Sequence, residues 1–152
     1  MFIVVTCLNA RIYKTQSKKY IAQNPDLAEG YAKLIKGYVI WLNLPWVIMG
    51  IGSTVGGVPS TFHYLNPQSG NPYVLAWFGS VFLLWILGSI WIFFMGGAEA
   101  LAKHPGAIQT HSLFSKGKNI SSPTAIKLFW CLCLLGGIFG VVMMWTQQLP
   151  VP

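Results

Sequence analysis

The chain has 152 residues, 54% of them hydrophobic and only 9% charged, against about 25% charged in an ordinary soluble domain. Its formal charge of +7 sits in segments beside apolar runs, and without a basic fold carrying base-stacking aromatics this argues against a nucleic-acid partner. These proportions leave no room for a second, soluble domain and predict an all-α integral membrane protein, with three transmembrane helices plus a partial apolar N-terminal segment.

Met1 to Leu8 is apolar but covers only about 12 Å as a helix, too short to cross. No basic residue precedes it and no small-residue cleavage site follows, so it does not read as a signal peptide. Two readings stand: a half-span dipping into one leaflet, or the end of a truncated fourth span. Asn9 to Gln23 is basic and predicts a helix continuing out of that start. Asn24-Pro25-Asp26 is a helix beginning, because Asn caps, Pro suits the first turn, and Asp26 and Glu29 suit the positive end of the dipole. Leu27, Tyr31, Leu34, Ile35 and Tyr38 then recur at helical spacing as an amphipathic lead-in.

The first span is placed at about residues 38–57. Within it Pro45 removes the backbone bond to the Trp41 carbonyl and predicts a kink, and Asn43 is an amide that needs a partner. Gly52 and Gly56 form a G-x-x-x-G step, where small residues admit a second helix. The loop over residues 58–72 carries no charge and is punctuated by proline and glycine. Its Phe62, His63 and Tyr64 make a candidate docking surface.

The second span, about residues 73–95, is aromatic, with Trp77 and Trp91 near its ends, where an interfacial belt is expected. Gly96-Gly97 breaks it. A short helix follows with Glu99 and Lys103 placed to pair at i,i+4, and His104-Pro105-Gly106 ends it. Residues 107–121 read as a polar loop, Ser122-Pro123 as another cap-then-proline start, and residues 124–145 as the third span. Gly136 and Gly140 repeat the glycine step, so the first and third spans are expected to meet through their glycine faces.

Every Lys and Arg falls in or beside residues 9–37 and 96–123. Cationic segments stay on the cytoplasmic side during insertion, where anionic headgroups attract them at about 1 kcal/mol each. The bilayer's anionic face is therefore an expected partner. Asn119-Ile120-Ser121 matches a glycosylation pattern but lies on this side, which argues against its use.

Chemistry-bearing constellations are sparse. Asp26, Glu29 and Glu99 are the acids; they form no paired-carboxylate pattern, and no zinc-protease, nucleophile-elbow or phosphate-loop motif occurs. Cys7, Cys131 and Cys133 give no disulfide framework and no metal-ligand spacing. His63, His104 and His111 all lie outside the spans, whereas a haem within the bilayer needs axial ligands projecting from them; His63 is the best single candidate for a surface-level ligand. Glu99, His104 and His111 share one side and can meet. No ionisable residue marks an ion path through a span, although Asn43 beside Pro45 resembles a broken-helix site.

The strings LNARIYK, WLNLPW, YLNPQSGNP and IFFMGGAEALAKHPG, spread over Thr6 to Pro105, resemble those of small polytopic membrane proteins of bacteria, cyanobacteria above all. That resemblance carries no activity. It implies a longer N-terminal span than this sequence shows, and a bacterial inner or thylakoid membrane as the location. The leading expectation is a non-catalytic accessory or assembly subunit that meets other membrane subunits or itself. The alternatives are a cofactor- or pigment-binding redox protein and a homo-oligomeric channel or carrier.

Overall fold

The computed structural model describes residues 2–112 and 115–147, with side chains described over residues 3–108 and 119–147. Met1, the tail beyond Gln147, and the side chains of His111, Lys116 and Lys118 lie outside the described residues.

The order is α1 (Phe2–Gln23), α2 (Ala28–Thr54), α3 (Pro72–Phe94), α4 (Gly97–Lys103), β1 (Gln109–Ser112), β2 (Ser115–Asn119) and α5 (Pro123–Thr146). Three stretches, Pro25–Thr54, Pro72–Phe94 and Pro123–Thr146, are long and apolar enough to cross a membrane. Each begins on a capping residue followed by proline. The side chains of Asn24, Asn71 and Ser122 accept from the backbone amides of Asp26 (3.2 Å), Tyr73 (2.9 Å) and Ala125 (3.4 Å), and proline's missing N–H costs nothing in a first turn.

The apolar start and the basic stretch after it form one continuous helix, α1, which doubles back along α2 through the turn at Pro25–Leu27. Its buried face is Thr6, Ala10 and Ser17, small side chains that let the two helices lie close. Helix α2 runs unbroken through Pro45 from the lead-in to Thr54. It ends before Gly57, whose φ of 65° turns the chain so that Val58 folds back and its amide reaches the Gly52 carbonyl at 3.1 Å. At the other end of α3, Gly96 (φ 73°) reverses the chain, and a β-carbon on Gly97 would stand 2.5 Å from the Trp91 ring, so α4 folds tightly back.

The bundle holds two small cores at opposite ends. One gathers Met49, Val58, Tyr64, Val74 and Phe78 under the uncharged loop. The other gathers Ile92, Ala98 and Ile126 beside the basic segments. Between them α3 and α5 interlock. A β-carbon on Gly88 would lie 2.8 Å from the Trp130 ring, and one on Gly137 would lie 2.6 Å from the Trp85 ring. Each helix thus offers a tryptophan to the other's glycine.

The polar segment over residues 107–121 differs from the expected loop. Its backbone pairs β1 with β2, Gln109 opposite Asn119 and Thr110 opposite Lys118. The neighbouring Ile108 and Ile120, joined by a 3.1 Å backbone bond, pack on the second core and bring the two arms together.

Candidate functional site

Tyr31 is the junction of three helices on the basic side. It is 1% exposed. Its ring meets Tyr13 of α1 edge-on at 5.9 Å and His104 edge-on at 4.8 Å, and its hydroxyl donates to the Pro105 carbonyl at 2.7 Å. His104 Nδ1 lies 2.6 Å from the Ala100 carbonyl, a geometry in which Nδ1 carries the proton. Nε2 then turns to the Gly30 backbone, in the space that a β-carbon there would fill. Burial, helped by the nearby Tyr31 phenol, pushes the Tyr13 phenol well above its ordinary value, and the Tyr13 hydroxyl is buried with no hydrogen-bond partner among the described residues.

Glu99 and His104 share α4 and its C-cap but point apart. Glu99 reaches α5, with Lys127 Nζ at 3.0 Å, in place of the expected partner Lys103. Lys127 projects from the first turns of α5, which packs along α4, and so lies across from the Glu99 carboxylate. Its own backbone amide first, and Lys127 second, hold the Glu99 carboxyl below its ordinary value. His104 faces α2 instead.

The uncharged loop divides its three candidate residues. Tyr64 is wholly buried, and its hydroxyl donates to the Met49 carbonyl at 2.9 Å. Phe62 is 55% exposed. His63 is half-buried, with Nδ1 2.9 Å from Ser60 Oγ. Of the aromatic set, Phe62 is the side chain that faces outward, while Tyr64 is committed to the core.

Asn43 is buried. Its Nδ2 donates to the Val39 carbonyl at 2.8 Å, one turn back on its own helix, and not to the Trp41 carbonyl that Pro45 leaves unbonded. Its Oδ1 is buried with no partner among the described residues.

The glycine steps take different neighbours from those expected. Gly52 packs on the Tyr64 hydroxyl and on Tyr73, and Gly56 packs on the Tyr73 ring. Both therefore serve the joint between α2 and the start of α3. Gly136 and Gly140 have open space where a β-carbon would stand. The close-packing glycine of α5 is Gly137.

Sequence reasoning passed over Gly88, Gly137 and the Tyr13–Tyr31–His104 junction. The signal for the junction is a histidine at a helix end next to proline, a tyrosine at core spacing in α2, and a glycine before that tyrosine. Among the described residues no group of three or more His, Cys, Asp or Glu side chains is placed to hold a metal ion. No protein-family model, curated protein or solved structure matches the chain.

Proposed function

We propose that the chain is a non-catalytic subunit of a larger membrane protein complex, inserted by α2, α3 and α5, with its basic segments toward the cytoplasm of a bacterial inner or thylakoid membrane. The observation that carries this reading is the state of α5. Among its described residues Ile126 is the one buried side chain. Leu128, Leu132, Leu135 and Phe139 form an outward apolar face with more than half of each side chain exposed. Within lipid, helices associate by close packing and a few polar bonds, with no hydrophobic drive between them. Helix α5 is held by two tryptophan–glycine interlocks, the Phe78–Trp145 ring contact, the side-chain hydrogen bonds of Trp130 to Ser89 and of Gln68 to the Trp145 carbonyl, and the Glu99–Lys127 ion pair. Its open side has room at Gly136 and Gly140 for another helix. A partner seated there would fix it.

Extraction from the native membrane in a mild detergent, followed by native mass spectrometry, tests the reading. The expected result is a particle above the 16.8 kDa of the chain that contains a second kind of subunit. A monodisperse monomer would overturn it, and a pure homo-oligomer would move support to the channel or carrier reading. A Soret or chlorophyll band in the purified material would support a pigment or redox role instead.

A further inference from the structure

We infer that the groove between α1 and α2 is a binding site for one anionic phospholipid, with the headgroup phosphate between Lys14 and Lys36 and an acyl chain along Ile35, Val39 and Ile40. The groove has a volume of about 380 Å³ and is lined by Lys14, Ala32, Ile35, Lys36, Val39 and Ile40. At the roughly 30 Å³ of a water-sized group, that holds about a dozen such groups, enough for a glycerol phosphate and the first carbons of a chain.

Charge selects the headgroup. Lys14 and Lys36 come from different helices to one groove, and no acid lines it. Neither lysine makes an ion pair among the described residues, whereas the neighbouring Lys33 is tied to Glu29 at 2.7 Å. Arg11 and Lys18, three residues before and four after Lys14, lie on the same face of α1 and extend the positive stripe. The site thus offers two uncompensated ammonium groups to an anion.

The walls select a tail. From Lys36, Val39 and Ile40 continue up α2 into its apolar part, a rise of about 6 Å. An anion without a tail would leave those side chains uncovered. An anionic lipid matches both parts in the right order, charge at the membrane surface and hydrocarbon below. The site needs α2 embedded in a membrane; it does not need a partner subunit.

The test titrates the purified full chain with phosphatidylglycerol and phosphatidylcholine and counts retained lipids by native mass spectrometry. One phosphatidylglycerol should be retained in preference to phosphatidylcholine. At the usual attraction of a lysine to an anionic surface, Lys14→Gln or Lys36→Gln should weaken binding roughly five-fold and the double variant roughly thirty-fold, with an unchanged melting temperature. Lys33→Gln should leave binding unchanged. Ala32→Phe, which fills the groove and keeps both lysines, should also lower retention, and the lysine variants decide the matter if it does not fold. Equal retention of the two lipids, or unaltered phosphatidylglycerol binding in the double variant, overturns the site. Equal affinity for glycerol phosphate overturns the lipid assignment, because that probe has the charge and no tail.

Discussion

The indole Nε1 of Trp130 donates to Ser89 Oγ at 3.0 Å, while that same hydroxyl donates to the Trp85 carbonyl at 2.7 Å. One serine therefore satisfies the tryptophan that enters α3 and is bonded to the tryptophan that enters α5. The interlock is a polar bond between two close-packed glycine seats.

Its energetics are testable at adjacent glycines. Gly137→Val overfills the Trp85 seat and should cost about 1–3 kcal/mol. Gly136→Val, beside open space, should stay within about 0.5 kcal/mol of the parent. Ser89→Ala should cost about 1 kcal/mol, since a bond between membrane helices is modest and the indole N–H loses its acceptor. Reversible unfolding in mixed micelles measures all three.

At the Tyr31 junction, Tyr31→Phe keeps the ring and removes the bond to Pro105, for an expected loss of about 0.5–1.5 kcal/mol. Gly30→Ala places a methyl group where the His104 ring lies, so α4 must shift. Amide hydrogen exchange in residues 97–108 should rise in both variants, and more in Gly30→Ala.

Asn43→Leu should be neutral or stabilising. The bond to Val39 is lost, at about 1 kcal/mol, but so is a buried carbonyl oxygen with no partner, a burden of about 1–3 kcal/mol. Thermal unfolding in detergent measures the balance. A large loss of stability would mean that Oδ1 has an acceptor role to fill, and unchanged solute flux in proteoliposomes would remove Asn43 from any transport path.

The Glu99–Lys127 tie should depend on pH in one direction. The folded-state carboxyl titrates below the ordinary value of 4.5, so its contribution is complete at neutral pH. It is lost as the pH falls through the folded value. Limited proteolysis of the segment after α4 should be constant from neutral pH to about 5 and should accelerate only below the ordinary carboxylate range. Lys127→Gln should shrink that response without abolishing it, because the carboxylate's own backbone amide remains.

Sidedness can be read by cysteine labelling in a background lacking Cys7, Cys131 and Cys133. A membrane-impermeant maleimide applied from outside should label Phe62→Cys in intact cells or spheroplasts. It should label Lys103→Cys only after lysis. The reverse pattern would invert the orientation.

The three long helices and their starts were legible because composition and capping are local. Asn24-Pro25 and Ser122-Pro123 announce their helices, and Asn71-Pro72 carries the same signature. Which face of each helix turns inward was not legible. Helices α3 and α5 are apolar on all sides, so periodicity marks no buried stripe, and nothing local distinguishes Gly137 from Gly136. Likewise the sequence shows Tyr64 as one aromatic among three. The turn at Gly57 that folds Val58 inward and the carbonyl of Met49 decide that it is buried. Lys127 as the partner of Glu99 depends on how α4 lies against α5, which spacing along α4 does not encode.

The Tyr31–Pro105 bond also has a place in time. Most helix contacts join sequence neighbours, so α1, α2 and α3 can settle as each leaves the ribosome, the N-terminal part first. Tyr31 and Pro105 lie 74 positions apart. A nascent chain halted before His104 therefore displays an uncovered notch at Gly30. Arrival of the imidazole closes it before α5 (Pro123–Thr146) emerges, so this junction can be complete while the third long apolar helix is still missing.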